Sequence, residues 1–265
     1  LLILNSIKNF IKKILYFLNI KKKTFEINLI KKITKSNDVI LDIGANLGQS
    51  VDKFLILKKN LFFYIFEPHY EYFIYLKKKF KFNLNIKIFN YGIGKKNDLK
   101  YFHFTNDKKH QYAFSFNKAN YLKRKKKVKI ISIDNKFKKK QKINIIKIDV
   151  EGFEYQVLLG AKNTLRNKDP FIFLEVTNLT VDKCFKFLNE LGYIVVVYEY
   201  YIFKNPKLLW LKHNVLHSDV YAKQFFRIEN FLKKNKKSFV LNLFIYKKNY
   251  LKDFQSYSVN SIKFP

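Results

Sequence analysis

Between residues 37 and 250, short apolar runs alternate with stretches in which apolar residues recur every three or four positions. Runs of the first kind predict β-strands, and the helical spacing of the second kind predicts amphipathic helices. The predicted strands are Val39–Ile43, Leu61–Phe66, Leu84–Asn90, Ile143–Ile148, Phe171–Glu175, Tyr193–Tyr198 and Phe239–Tyr246. The predicted helices lie at about 48–58, 70–80, 153–166 and 181–190. Because strands and helices alternate, we expect an α/β domain with a mostly parallel sheet.

Two segments interrupt this alternation. A Lys-rich stretch at about 95–140 separates the third and fourth strands; within it, Leu99–Phe104 and Val128–Ile133 predict a small hairpin or edge strands. A second stretch, at about 201–237, separates the last two strands. We find no internal repeat and no Gly/Ser/Pro-rich linker. The sequence therefore predicts one domain over residues 37–250, preceded by an extension at 1–36 and followed by a tail at 251–265.

The N-terminal extension carries the pattern of a basic amphipathic helix. Apolar residues from Leu4 to Leu18 recur at helical spacing, with lysines between them. Such a helix either packs on the domain that follows or lies on an anionic membrane through residues 1–23. No stretch reaches about 18 apolar residues without a charge, so we predict no transmembrane helix. We expect a cytoplasmic protein, with peripheral membrane contact as the alternative.

The chain is strongly basic, with 53 Lys and Arg against 20 Asp and Glu and a formal net charge of +33. Such a charge favours nucleic acid or an anionic membrane as a partner. However, Arg occurs only at positions 124, 166 and 227, and Arg is the usual ligand of phosphates and guanines. Lys, Asn, Ile, Phe and Tyr have A/T-rich codons, so a low-GC genome explains the bias. We therefore expect no specific nucleic-acid partner. Cys184 is the only cysteine, which excludes an intrachain disulfide.

The segment Val39–Gln49 carries the first chemical signal. A strand runs into a turn that contains Gly44 and Gly48, and a helix begins directly afterwards. In an open α/β sheet, ligands bind outside the carboxyl ends of the strands. Asp42 at the strand tip can accept hydrogen bonds from a ligand, and Gly44 permits close approach of the backbone. Asn46 replaces the middle glycine of the dinucleotide fingerprint, and no P-loop motif is present.

Glu67 ends the second predicted strand, 25 residues after Asp42. An acid at this position of an α/β sheet is placed to accept hydrogen bonds from both hydroxyls of a ribose. Pro68, the next residue, would form an apolar wall for a nucleoside base. The two motifs together predict a nucleoside-binding crevice.

A third landmark follows the fourth predicted strand, where Asp149, Glu151 and Glu154 lie within six residues. Asp149 is expected to face the same crevice as the first two acids, and Glu175 ends the fifth predicted strand at the same edge. Asp149 and Glu151 are our candidate catalytic residues, as a general base or as ligands of a divalent cation. The alternative is that Glu151 and Glu154 only complement a helix N-terminus. We do not expect a metal.

In these motifs the sequence resembles the FkbM family of S-adenosylmethionine-dependent methyltransferases. The resemblance covers about residues 36–180. Its motifs are Asp42-Ile-Gly-Ala-Asn-Leu-Gly48, Phe66-Glu-Pro68, Asn90-Tyr-Gly-Ile-Gly94, Ile133-Asp134, Lys147-Ile-Asp-Val-Glu-Gly-Phe-Glu154, Leu158-Leu-Gly-Ala161 and Phe173-Leu-Glu175. The resemblance implies a class I methyltransferase fold, which is Rossmann-like. It also implies seven strands in the order 3-2-1-4-5-7-6, the seventh of them antiparallel.

The resemblance also implies roles for the motif residues toward S-adenosylmethionine. Asp42, Gly44, Asn46 and Gly48 would line its methionine and ribose end, and Glu67 would hold the ribose hydroxyls. Pro68 and Gly92, the latter in the stretch Tyr91–Ile93, would lie near the adenine, and Asp149 would lie near the sulfonium and the acceptor. Members of the family commonly methylate oxygens of sugars, polyketides or similar metabolites. A small-molecule or glycan acceptor is therefore expected.

Two alternatives use the same fold. The basic charge favours an RNA methyltransferase, but Asp149-Val-Glu-Gly152 stands where enzymes acting on base amino groups often have [ND]-P-P-[FYW]. Acids at that position would repel phosphate. The other alternative is a non-catalytic binding module, which would have to have lost cofactor binding. The presence of Asp42, Gly44 and Glu67 together argues against it.

Overall fold

The fold is taken from a computed structural model, which describes residues 27–57, 59–104, 114–116, 124–203, 221–222, 226–227 and 238–250. The predicted N-terminal amphipathic helix, the predicted tail at 251–265 and most of the stretch at 201–237 lie outside these residues. The described part begins in a helix, α1, at residues 27–33. Leu29, Ile30 and Ile33 of α1 are buried against the domain that follows.

Nine strands of the described residues form the main sheet. They are β1 (Val39–Ile43), β2 (Phe62–Phe66), β3 (Ile86–Phe89), β8 (Ile145–Ile148), β9 (Phe171–Thr177), β10 (Tyr193–Phe203), β11 (Tyr221–Ala222), β12 (Phe226–Arg227) and β13 (Ser238–Lys247). The spatial order is β11-β10-β13-β9-β8-β1-β2-β3, and β12 pairs with β10. The seven long strands, counted along the chain, thus follow the order 3-2-1-4-5-7-6. The last of them, β13, is antiparallel to both neighbours, as expected.

In the described parts of the Lys-rich stretch and the residues just before it, four strands form a separate sheet. Its strands are β4 (Gly92–Ile93), β5 (Asp98–Phe104), β6 (Phe114–Ser115) and β7 (Arg124–Ile131), in the order β4-β7-β5-β6. The predicted hairpin or edge pair corresponds to β5 and β7, which are antiparallel. The prediction placed the end of the second strand too late. Ser132 caps a short helix there by accepting a hydrogen bond from the backbone N–H of Asn135, at 3.2 Å.

The helices that follow α1 are α2 (Gln49–Leu55), α3 (Tyr70–Lys79), α4 (Ile133–Lys136), α5 (Glu154–Leu159), α6 (Lys162–Lys168) and α7 (Val181–Glu190). The prediction of one helix over 153–166 is wrong, because this stretch is divided into α5 and α6. Gly160 lies at the break, where a Cβ would come within 1.9 Å of the carbonyl oxygen of Gly94. The carboxylate of Asp134 accepts hydrogen bonds from the backbone N–H groups of Asn163 and Thr164, both at 2.9 Å. These hydrogen bonds stabilise the first turn of α6.

The main sheet has an apolar core on each of its two faces. In β1, Ile40 belongs to one buried cluster, whereas Leu41 and Ile43 belong to the other. A sheet covered on both faces has strands that read as continuous apolar runs, as these do. Because nearly every position in these strands is buried, polar side chains lie mainly at the strand ends. In the part of the chain that the structure describes, no helix is long and apolar enough to cross a membrane.

Candidate active site

Three acids lie at one edge of the main sheet, as predicted. Asp42 lies in β1, Glu67 directly follows β2, and Asp149 directly follows β8. The strands are parallel and neighbouring, with Asp42 opposite Ile65 of β2 and opposite Lys147 of β8. The carboxyl ends of parallel strands meet at the same edge, so the pairing register itself brings these acids together.

Asp42 is a buried carboxylate with few partners. Its side chain is 1% exposed, and neither carboxylate oxygen has a hydrogen-bond partner among the described residues. The ammonium of Lys147 lies 3.7 Å from Oδ1. Burial raises the pKa of Asp42 and outweighs the opposing effect of Lys147. A buried carboxylate in this state has unused capacity to accept hydrogen bonds.

Glu67 is fully buried and links two of the loops at the sheet edge. Its Oε2 accepts the backbone N–H of Asn46 at 2.8 Å, and its Oε1 accepts the backbone N–H of His69 at 2.7 Å. Burial raises the pKa of Glu67 to about 8, although these two hydrogen bonds act in the opposite direction. Each oxygen retains a further lone pair with which it can accept a ligand hydroxyl.

Lys147 is a residue of the crevice that the sequence analysis missed. Its ammonium donates to the carbonyl oxygen of Gly44 at 3.3 Å and to Oδ2 of Asp149 at 3.4 Å, besides its ion pair with Asp42. Burial lowers the pKa of Lys147, but Asp149, Asp42 and Glu175 together raise it above its ordinary value. The side chain is therefore a protonated, buried cation. The signal in the sequence was a single charged residue within the apolar strand Ile145–Ile148.

The glycines of the first turn contact the protein itself. A Cβ on Gly44 would lie 1.9 Å from the carbonyl oxygen of Asp149, and a Cβ on Gly48 would meet the side chains of Leu76 and Phe80. On the side where a Cβ would be, Gly48 therefore packs against Leu76 of α3 and Phe80 just after it. Asn46, between them, has a left-handed backbone with φ of 52°, and its buried side-chain oxygen has no hydrogen-bond partner in the described chain.

The acids that follow β8 form a compact group with Glu175 of β9. Asp149, Glu151 and Glu175 each place one carboxylate oxygen within 4.8 Å of the others, and all three are half-buried. Such a group is suited to accept a proton or to bind a divalent cation, so both interpretations of Asp149 and Glu151 are compatible with the geometry. Glu154 is buried outside this group, and its Oε1 accepts the backbone N–H of Gly152, two residues before α5 begins, at 2.7 Å.

A cavity opens beside Asp149 at this edge of the sheet. Its lining consists of Ile43, Gly44, Phe66, Pro68, Gly92, Ile93, Phe102, Phe116, Asp149 and Val150. Four of these, namely Gly44, Pro68, Gly92 and Asp149, are predicted cofactor-binding residues. The sequence analysis missed Phe102 and Phe116, because nothing in the Lys-rich stretch indicates which of its aromatic residues turn inward.

The sheet order is that of the class I, Rossmann-like methyltransferase fold. A family model described as the methyltransferase FkbM domain matches residues 42–195, more than half of the 265 residues. The chain therefore belongs to the FkbM methyltransferase family, which is S-adenosylmethionine-dependent. No curated protein matches the sequence.

Several solved structures are similar in fold. An FkbM methyltransferase from Methylobacillus flagellatus KT is 15% identical, with a TM-score of 0.44, over 60% of this chain and 39% of that one. The chain thus spans well under half the length of this relative. A precorrin-6y C5,15-methyltransferase from Geobacter metallireducens is 14% identical, with a TM-score of 0.43, over 84% of this chain and 87% of that one. An rRNA methylase from Streptococcus thermophilus is 8% identical, with a TM-score of 0.43, over 84% of this chain and 93% of that one.

Proposed function

We propose that this chain binds S-adenosylmethionine in the crevice at the sheet edge and transfers its methyl group to an oxygen of a sugar, glycan or other small metabolite. The observation that carries the proposal is the state of Asp42. Both of its carboxylate oxygens are buried without a hydrogen bond among the described residues, and the next two residues along the chain, Ile43 and Gly44, line a cavity. A site of this kind is suited to a ligand that brings its own donors and positive charge. S-adenosylmethionine has both, in its ammonium and its sulfonium.

The arrangement of the other residues supports the same ligand. Asn46 offers a second buried oxygen without a partner in the described chain, at the methionine and ribose end. Glu67 has free lone pairs for the ribose hydroxyls. Pro68 and Gly92 supply an apolar wall on which the adenine can pack. Asp149 also lines the cavity, and a negative charge there favours the sulfonium.

Methyl transfer to a hydroxyl needs in-line alignment and removal of a proton. Holding acceptor, methyl and sulfur collinear in a pocket with little water supplies much of the rate. The pKa of a hydroxyl is high, so a base also contributes. Asp149 lines the cavity and is the proposed base, with Glu151 as its neighbour. If a divalent cation takes part, Asp149, Glu151 and Glu175 are the residues that would hold it, and it would lower the pKa of a bound hydroxyl.

The charge of the crevice supports a small acceptor rather than RNA. Three carboxylates, those of Asp42, Asp149 and Glu175, act on the ammonium of Lys147, and Glu151 adds a fourth beside Asp149 and Glu175. This excess of negative charge attracts a sulfonium and repels the phosphates of a polynucleotide.

The cytoplasmic location and the contact of residues 1–23 with anionic membranes stay predictions. A flotation assay with and without residues 1–23 tests the membrane contact.

Calorimetry with S-adenosylmethionine tests the proposed cofactor. We expect saturable binding to the wild-type protein and a loss of at least about tenfold in affinity for Asp42→Asn, which removes the buried charge. Asp52→Asn is the matched control, because Asp52 is a half-exposed acid of α2 that pairs with Lys79 and lies outside the crevice. Wild-type protein without affinity for the nucleoside would contradict the proposal and leave the binding-module alternative.

Transfer of a labelled methyl group tests the acceptor class. We expect label in one or more members of a panel of monosaccharides, nucleotide sugars and glycans, and none in total RNA at physiological salt. Salt matters because the charge of +33 causes weak, non-specific association with nucleic acid at low ionic strength. Label in RNA that persists at physiological salt would instead identify an RNA methyltransferase.

A further inference from the structure

We propose that Lys147 is a positioning residue, whose ammonium holds the carboxylates of Asp42 and Asp149 in the relative orientation that the cofactor needs. This inference rests on the proposed function and adds a residue to it. It is carried by the geometry of the lysine ammonium and by the burial of the groups around it.

The ammonium of Lys147 joins three different segments of the crevice. It lies 3.7 Å from Oδ1 of Asp42 in β1, 3.3 Å from the carbonyl oxygen of Gly44 in the turn, and 3.4 Å from Oδ2 of Asp149 after β8. Lys147 and Asp42 are direct neighbours in the parallel register, so the side chain reaches across from β8 to β1. The contacts fix the two carboxylates relative to each other and to the turn between β1 and α2.

Burial makes Asp42 depend on this cation. Its side chain is almost inaccessible to solvent and accepts no hydrogen bond from the described residues. Of the charges that stabilise its ionised form, that of Lys147 acts most strongly. A buried carboxylate without a partner takes up a proton. Loss of Lys147 would therefore raise the pKa of Asp42 further and weaken its attraction for the ammonium of the cofactor.

The lysine does not cancel the attraction of the crevice for a cationic ligand. Asp42, Asp149 and Glu175 all act on its ammonium, so acids outnumber the cation. Lys147 also stays protonated, because the neighbouring acids outweigh its burial. It therefore serves neither as a base nor as a direct ligand of the sulfonium. Its role is exerted through the two carboxylates that it contacts.

A double-mutant cycle on cofactor affinity tests this role. Lys147→Met keeps most of the side-chain length and removes the charge, whereas Lys147→Arg keeps the charge. By calorimetry with S-adenosylmethionine, we expect Lys147→Met to weaken binding by at least about tenfold and Lys147→Arg to recover part of the loss. In an Asp42→Asn background, Lys147→Met should weaken binding by a smaller factor than in the wild-type background, because one of the two residues through which it acts is already neutral.

Two results would overturn the inference. One is a Lys147→Met protein that binds within about twofold of wild type, and the other is a pair of losses that multiply in the double mutant, as a purely structural effect would. Thermal unfolding without ligand shows whether each variant is folded, and Lys147→Gln replaces Lys147→Met in the cycle if the latter is not. A wild-type protein that fails to bind would overturn the proposed function and this inference together. Wild-type binding with unchanged Lys147→Met binding would overturn this inference alone.

Discussion

Gly44 and Asp149 are in backbone contact across the crevice: a Cβ at position 44 would lie 1.9 Å from the carbonyl oxygen of Asp149. No side chain fits at that distance, so any substitution has to push the tip of β8 away from the turn after β1. The backbone of Gly44 also has a φ of 80°, which side-chain-bearing residues rarely adopt. The sequence analysis expected a glycine here so that a ligand could approach. The contact shows that glycine is needed here so that the turn after β1 can pack against the backbone of Asp149.

Gly44→Ala should therefore destabilise the protein by about 3 kcal/mol, from about 1–2 kcal/mol of backbone strain and a similar overpacking term. Gly192→Ala is the matched control, since Gly192 has a φ of 77° but nothing within 4 Å of its missing Cβ. It should lose only the strain, about 1 kcal/mol. Urea unfolding of both variants measures the two losses. Equal losses would mean that the contact with Asp149 contributes nothing.

Cofactor binding should release a proton, because the pKa of Glu67 is raised to about 8 in the free protein. Ribose hydroxyls donate to a carboxylate more strongly than to a carboxylic acid, so the ligand favours the ionised form. We expect release of up to one proton at pH 6.5, release near zero at pH 9, and affinity that rises with pH between them. Calorimetry in two buffers with different ionisation enthalpies measures the released protons.

Glu67→Gln is the variant that assigns this proton. It should bind S-adenosylmethionine more weakly at every pH and release correspondingly fewer protons at pH 6.5. Unchanged release in Glu67→Gln would show that another group titrates and that the ribose is not held by Glu67.

The same raised pKa predicts that stability falls as the pH rises. Folded Glu67 and Glu154, with pKa values of about 8 and about 7, keep protons that the unfolded chain releases above about pH 4.5. Their contribution to stability is fully present below the unfolded pKa and is lost as the pH rises through the folded one. Each raised pKa unit corresponds to about 1.4 kcal/mol. Urea unfolding between pH 5 and pH 8 should show this fall.

Substitution separates the contributions of the two acids. Glu67→Gln and Glu154→Gln should each flatten the fall in stability between pH 5 and pH 8, and Glu67→Gln should flatten it more. The slope is the quantity to compare, since a carboxamide also disturbs the backbone N–H groups that each carboxylate accepts. A slope that both variants share with wild type would show that the folded carboxyls titrate normally.

The strands and their order could be predicted because their signal is local. Each long strand is an apolar run bounded by polar residues, and parallel pairing places every strand tip at one edge. These two features place Asp42, Glu67 and Asp149 at one edge of the sheet from the sequence alone. The break between α5 and α6 could not be predicted, since it depends on the approach of Gly160 to Gly94, residues 66 positions apart in sequence.

Three residues of the site, Lys147, Phe102 and Phe116, could not be identified from the sequence. Whether a lysine in an apolar strand reaches the crevice depends on the neighbour that the register gives it, here Asp42. Phe102 lies in β5, and Phe116 directly follows β6. Both side chains reach the cavity only because the four-stranded sheet packs against it. Long-range pairings of this kind are not encoded in any short segment.

Asp149→Asn should reduce methyl transfer at saturating cofactor by about 100-fold or more, which is the usual contribution of a positioned base. Asp149 lines the cavity, whereas Glu151 is not part of its lining, so Glu151→Gln should lose less. Asp52→Asn, outside the crevice, is the control. Turnover is measured with the acceptor found in the labelling panel, and calorimetry shows how far cofactor binding persists.

If the three carboxylates instead hold a divalent cation, Asp149→Asn, Glu151→Gln and Glu175→Gln should all lose methyl transfer to similar degrees. A chelator should then abolish wild-type turnover, and Mg²⁺ should restore it.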